Sequence, residues 1–152
     1  MTAEGDAKPN FVVISVGSYF CAVPVDHVIE TMRPLPVEPI AGAPLFVCGI
    51  AILRGIPVPV VDLGLLLAVP ANRGARFVAL RLGERRVALK VDEVIGVRRL
   101  QTSMLQQVPS LLGGVGSDLV EAIGTLDTQF LLVLRASRIL PTDTWQPGAT
   151  TI

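Results

Sequence analysis

Two stretches of this chain align without a gap. Phe11 to Ile29 reads FVVISVGSYFCAVPVDHVI, and Phe77 to Ile95 reads FVALRLGERRVALKVDEVI. Each residue of the second stretch follows its counterpart by 66 positions. Phe11 meets Phe77, Gly17 meets Gly83, Ala22 meets Ala88, Val25-Asp26 meets Val91-Asp92, and Val28-Ile29 meets Val94-Ile95. A looser echo at a slightly longer offset joins LRGIPVPVVDLGLLL, from Leu53, to LDTQFLLVLRASRIL, from Leu126. The simplest account is a duplicated unit of about 65 residues with a longer insertion in its second copy. Both copies are present, so the fold is expected to have pseudo-two-fold character.

Each unit reads as β-rich. Phe11–Val16 and Phe77–Leu82 are short β-branched and apolar runs, each closed by a glycine turn, Gly17-Ser18 or Gly83-Glu84, before a second apolar run. That is a hairpin signal. Strand character returns at Val28–Arg33 and Val94–Leu100. Two further strands are expected in the first unit, Phe46–Leu53 and Ile56–Val61, joined at Arg54-Gly55; in the second, Glu121–Leu126 and Phe130–Leu134. Helical turns follow at 62–67 and 136–140, and Asp26, Asp62 and Asp92 are placed to cap turns. Five short strands per unit predict an all-β fold of two small barrels, because closure removes the exposed edges of apolar strands. The repeat units cover about 11–68 and 77–140; residues 1–10 and 141–152 read as mobile tails, with Trp145 in the second.

Composition narrows the function. Hydrophobic residues make up 51% of the 152 and charged residues 17%, with a net charge of zero. No concentrated positive field points to nucleic acid. No secretory signal is visible, and the uncharged, largely apolar stretch Pro39 to Leu53 falls short of a membrane span. The cysteines, Cys21 and Cys48, suit a reduced cytosolic protein and lack metal-ligand spacing. Neither a metal nor a cofactor is expected; Gly113-Gly114-x-Gly116 has no following Lys-Ser/Thr and reads as loop.

The one histidine, His27, lies six residues beyond Cys21 and between Asp26 and Glu30, which raises a Cys–His hydrolase as a reading. The repeat argues against it. The second copy has Val87 and Glu93 at those positions, and Cys21 sits in an apolar strand. A generic module for proline-rich peptides is a third reading, but one Tyr and one Trp leave little to line its groove.

A more specific pattern spans Val28 and Glu30, Ala43-Pro44, Gly49, Leu53-Arg54-Gly55, Pro59-Val60 and Asp62-Leu63, with Val91-Asp92-x-Val94 in the second half. Over about residues 11–140 the chain resembles the CheW-like family of bacterial chemotaxis coupling proteins. It departs from the family pattern at Ile52, where Asn is usual, and at Gly64, where Arg is frequent. The resemblance implies two five-stranded SH3-like barrels, no catalytic residues and no cofactor. It also implies a cytoplasmic adaptor between the tip of a methyl-accepting chemoreceptor and the regulatory domain of a CheA-type histidine kinase. An auxiliary scaffold in a non-flagellar chemosensory pathway is the alternative. Arg54 is the leading partner-binding residue, with Glu30 as its companion on a neighbouring strand; its other reading is a solvated hairpin tip. Val28 and Val91 are core residues or groove lining, and Gly49 and Gly55 serve backbone geometry at the same surface.

Overall fold

The computed structural model describes residues 10–69, 74–101, 105–107 and 118–139. The two tails (residue 10 apart), Trp145 and the glycine loop at 113–116 lie outside the described residues. The first copy supplies β1 (Asn10–Val16), β2 (Tyr19–Pro24), β3 (Val28–Met32), β4 (Val47–Leu53), β5 (Ile56–Asp62) and the short helix α1 (Leu63–Leu67). The second supplies β6 (Arg76–Leu82), β7 (Arg85–Val91), β8 (Glu93–Arg99), the two-residue β9 (Gln106–Gln107), β10 (Val120–Leu126) and β11 (Gln129–Leu134). Every strand read from the sequence is present within a residue or so of its expected ends; β9 was not foreseen. The helical turn expected at 136–140 is a single 3-10 turn over Ala136–Arg138.

The barrels are not built one from each unit. One sheet runs β3-β6-β7-β5-β4 and the other β8-β1-β2-β11-β10-β9. Each therefore takes its central hairpin from one copy and its remaining strands from the other. The exchange is symmetric: β5 pairs in parallel with β7 at Val60↔Ala88, and β11 with β2 at Val133↔Ala22. Bulges also recur, between Val28 and Glu30 in one barrel and opposite Val94 and Gly96 in the other.

Burial explains the exchange. Along β1, Phe11 and Val13 enter one cluster with Ala22, Leu131 and Val133. Their counterparts Phe77 and Ala79 enter a second cluster with Ala88, Val58 and Val60. The alternate residues, Val12, Ile14 and Val16 of β1 with Val78 and Leu80 of β6, meet in a third cluster shared by both barrels. The β1–β2 and β6–β7 hairpins are thus buried on both faces, which is why they read as near-continuous apolar runs rather than alternating ones. A hairpin kept within its own unit could fill its barrel but could not also place its second face against the opposite hairpin.

The chain after β3 crosses to the far edge of its sheet. Glu38 exchanges backbone hydrogen bonds with Ile50 of β4 at 2.8 and 2.9 Å. The β9 strand does the same in the other barrel, pairing Gln106 with Ile123. These straps bring opposite sheet edges together and make each sheet an SH3-like barrel.

Of the three aspartates expected to cap turns, Asp62 caps its own and Asp92 reaches two amides far along the chain. Asp62 accepts from the Leu65 amide at 3.1 Å and starts α1. Asp92 accepts from Gly17 N at 2.8 Å and Gly74 N at 3.3 Å, tying the β1–β2 turn to the second copy. Asp26 does not cap: the 3-10 turn over Val25–His27 has no side-chain cap. Its preceding position is Pro24, whose side chain can accept nothing.

Candidate docking site at one barrel end

Strand direction gathers the candidate residues. β5 runs parallel to β7, so the β4–β5 turn lies at the same end of the barrel as the β6–β7 turn. β3 runs antiparallel to β6 and starts at that end, with Val28 opposite Leu80 and Glu30 opposite Ala79. β3 and β4 are opposite edges of the sheet. Arg54 spans the two: its Nε donates to Glu30 Oε2 at 2.6 Å and its Nη2 to Oε1 at 2.9 Å. The fork is bidentate, the strong form of the arginine–carboxylate pair.

The turn presents this arginine to solvent. Arg54 and Gly55 have φ of 51° and 81°, the left-handed pair that a two-residue hairpin requires. The Arg54 side chain is 74% exposed and that of Glu30 25%. The hydrogen bond from Arg54 holds the Glu30 carboxyl below its ordinary value, against a smaller opposing effect of desolvation, and the same bond raises Arg54. Beside the pair, Ile52 is 59% exposed on β4, and Ile56 and Ile29 are exposed as well. Pro57 and Pro59 have no N–H to donate, and the parallel ladder to β7 begins only at Val60. This end therefore presents exposed aliphatic side chains beside the exposed charge pair.

The other candidates separate from this pair. Val28 is half-buried at the margin of the shared core. Val91 is fully buried in that core and offers no surface of its own. Gly49 is buried at φ 149°, and a Cβ there would stand 2.1 Å from the Glu38 carbonyl oxygen, so it admits the strap. Gly55 has open space around it, and only its backbone angle calls for glycine.

Cys21 and His27 do not form a nucleophile. Cys21 is fully buried in the shared core, in the place Val87 takes in the other copy, and burial pushes its thiol up to about 12. A thiol so held stays protonated. His27 donates from Nδ1 to the Arg81 carbonyl oxygen at 3.2 Å, fastening the turn before β3 to β6. Sequence reasoning missed this link, since a backbone acceptor carries no side-chain signal. It also missed Lys90, whose Nζ lies 3.9 Å from Asp62 Oδ2. Among the described residues no group of three or more His, Cys, Asp or Glu could hold a metal ion. Among them too, no helix is long and apolar enough to cross a membrane.

Two strand-exchanged SH3-like barrels with exposed ion-paired and apolar surface at one end define a scaffold-type binding module. A family model described as CheW-like domain matches residues 10–143. The chain belongs to the CheW-like family. It is 24% identical over 137 residues to the chemotaxis protein CheW of Helicobacter pylori, covering 88% of this chain and 82% of that protein. It is 30% identical over 118 residues to the protein FrzA of Myxococcus xanthus, covering 75% of this chain and 72% of FrzA. The crystal structure of the scaffolding protein TtCheW from Thermoanaerobacter tengcongensis superposes with a TM-score of 0.75 at 21% identity, over 84% of this chain and 89% of that one. These likenesses support a chemotaxis adaptor role.

Proposed function

We propose that this chain is a non-catalytic adaptor that couples the cytoplasmic tip of a methyl-accepting chemoreceptor to the regulatory domain of a CheA-type histidine kinase. It works in the cytoplasm, within a membrane-associated chemosensory array. The observation that carries the reading is the Glu30–Arg54 fork on an exposed turn, flanked by exposed Ile52 and Ile56. Such a fork fixes the shape of the barrel end while leaving the outer face of the guanidinium for a partner. The exposed isoleucines supply apolar area that a receptor helix or a related barrel would cover.

Co-purification tests this reading. Tagged protein drawn from its native lysate is expected to bring down a chemoreceptor and a histidine kinase together. Recovery of neither sinks it. In titrations with those two partners, Arg54→Ala is expected to weaken binding to at least one by about tenfold, with the melting temperature nearly unchanged. The auxiliary role in another chemosensory pathway is favoured by Ile52, which puts aliphatic surface where the family usually has Asn. The identity of the co-eluting receptor separates the two readings.

A further inference from the structure

The β6–β7 turn carries charge that the fold does not require. Arg81 and Arg86 stand directly opposite each other across the two strands on one face of the hairpin, while Arg85, opposite Leu82, belongs to the other face. The Cβ atoms of an opposed pair lie about 5 Å apart, where like charges destabilise a sheet. The β1–β2 hairpin has Ser15, Tyr19 and Phe20 at the matching positions, so the hairpin forms without arginine. Among the described residues no carboxylate forms an ion pair with Arg81 or Arg86. The closest acidic residue along the chain is Glu84, in the turn itself; Asp26 is the neighbour of His27, which bonds the Arg81 carbonyl.

We propose that this turn is a docking point for a carboxylate-rich segment of a partner protein, gripped by the opposed forks of Arg81 and Arg86. The proposal rests on the adaptor reading, because the turn shares its barrel end with Arg54 and the exposed isoleucines. An acidic protein segment fits better than the other polyanions. Two opposed arginines fall below the roughly 4–8 basic residues of an anionic-lipid patch and below the several phosphate contacts of nucleic-acid binding. The net charge of zero supplies no wider positive field. Planar guanidinium forks, in contrast, suit bidentate contact with single carboxylates. Exposed Ile29, Ile52 and Ile56 call for apolar residues next to the acidic ones.

The test is fluorescence anisotropy with a labelled, glutamate-rich synthetic peptide of about a dozen residues interspersed with leucine, titrated with the full chain at low salt. Saturable binding is expected, weakening as salt rises. Arg81→Gln/Arg86→Gln should weaken it about tenfold or more, and Arg86→Lys, which keeps charge but loses the fork, by an intermediate amount. The melting temperature of the double variant should hold or rise, since a like-charge pair has been removed. Arg98→Gln/Arg99→Gln, on β8 of the other barrel, should bind like the wild type. Absence of saturable binding overturns the proposal. So does an equal loss in the Arg98/Arg99 variant, or tighter binding of charge-matched DNA or phosphatidylserine vesicles. Peptide binding without recovery of receptor and kinase from lysate sinks the adaptor reading and leaves this site; recovery without peptide binding does the reverse.

Discussion

In one barrel the β3 edge is tied to the β4–β5 turn by Glu30 and Arg54; at the matching places in the other stand Gly96 and Asp127. The two barrels agree in strand order, in the exchange of hairpins and in the composition of their cores. They part company at the surface. One end carries an ion-paired fork and exposed isoleucines. The matching end carries Asp127, an exposed Phe130 and the Tyr19 ring with its centroid 6.2 Å from that of Phe130. Packing constrained both copies alike after duplication, whereas partner surfaces were free to diverge. The positions that differ between barrels on a shared backbone are therefore the ones to examine for function.

The largest contrast should appear at the straps. Gly49 has no room for a methyl group against Glu38, while its counterpart in the other barrel is Ala122. Gly49→Ala combines a disfavoured φ with a collision on backbone and is expected to cost about 3 kcal/mol. Ala122→Gly should cost about 1 kcal/mol or less. Urea denaturation of both variants measures the gap; equal losses would mean that the two straps pack alike.

A second, smaller contrast concerns the paired aspartates. Asp92 holds two backbone amides, from Gly17 and Gly74. Asp26, its counterpart, caps nothing. Removing hydrogen bonds to a charged acceptor gives an expected loss of about 1–2 kcal/mol for Asp92→Ala. Asp26→Ala should stay within about 0.5 kcal/mol. Comparable destabilisation by both would show that the first-copy turn has an attachment like that of the second.

Much of this architecture was legible in the sequence. The repeat gave the strands and the pseudo-symmetry because a duplicated core keeps its apolar positions: Phe11 and Phe77, Ala22 and Ala88, Val12 and Val78 occupy equivalent places. The exchange of hairpins was not legible. An apolar run buried on both faces looks the same whichever unit covers it, and pairing partners leave no mark on a strand's own composition. At the site, Arg54 and Glu30 were legible through the resemblance to the CheW-like family, and the second copy, with Asp127 and Gly96 at the matching places, shows that the fold itself does not require them. Val91 was open between lining and core, since a valine in a repeated motif reads as either, and its full burial puts it in the core. The opposed Arg81 and Arg86 were hidden until the register put them face to face.

The β4–β5 and β10–β11 turns offer a third contrast. Both adopt left-handed angles, but Gly55 at φ 81° is matched by Thr128 at φ 67°. A β-branched residue is strained there. Thr128→Gly is expected to stabilise the protein by about 0.5 kcal/mol, the relief of strain being partly offset by the greater freedom of glycine in the unfolded chain. Gly55→Thr should destabilise it by about 1 kcal/mol. Thermal melts that rank the pair in the opposite order would refute the shared turn geometry.

The smallest effect on stability, and the most direct probe of the difference between the barrels, is the titration of Glu30. Its carboxyl is held below the ordinary value of 4.5, first by the hydrogen bond from Arg54 and then by the charge of that guanidinium. A lowered folded-state pKa means that the folded protein favours the ionised form. The contribution of the fork is then complete at pH values above 4.5, declines as the pH falls from there through the lowered folded value, and is absent below it. Arg54 stays charged throughout, so the loss belongs to Glu30 alone. Carbon-detected NMR of the glutamate carboxyls should show a Glu30 midpoint below 4.5, returning towards 4.5 in Arg54→Ala. The same acid limb should appear in partner binding if the fork orients the docking face. A wild-type midpoint at or above the ordinary value would mean that the fork is open in solution, and the two barrel ends would then differ in residue type but not in how firmly their edges are tied.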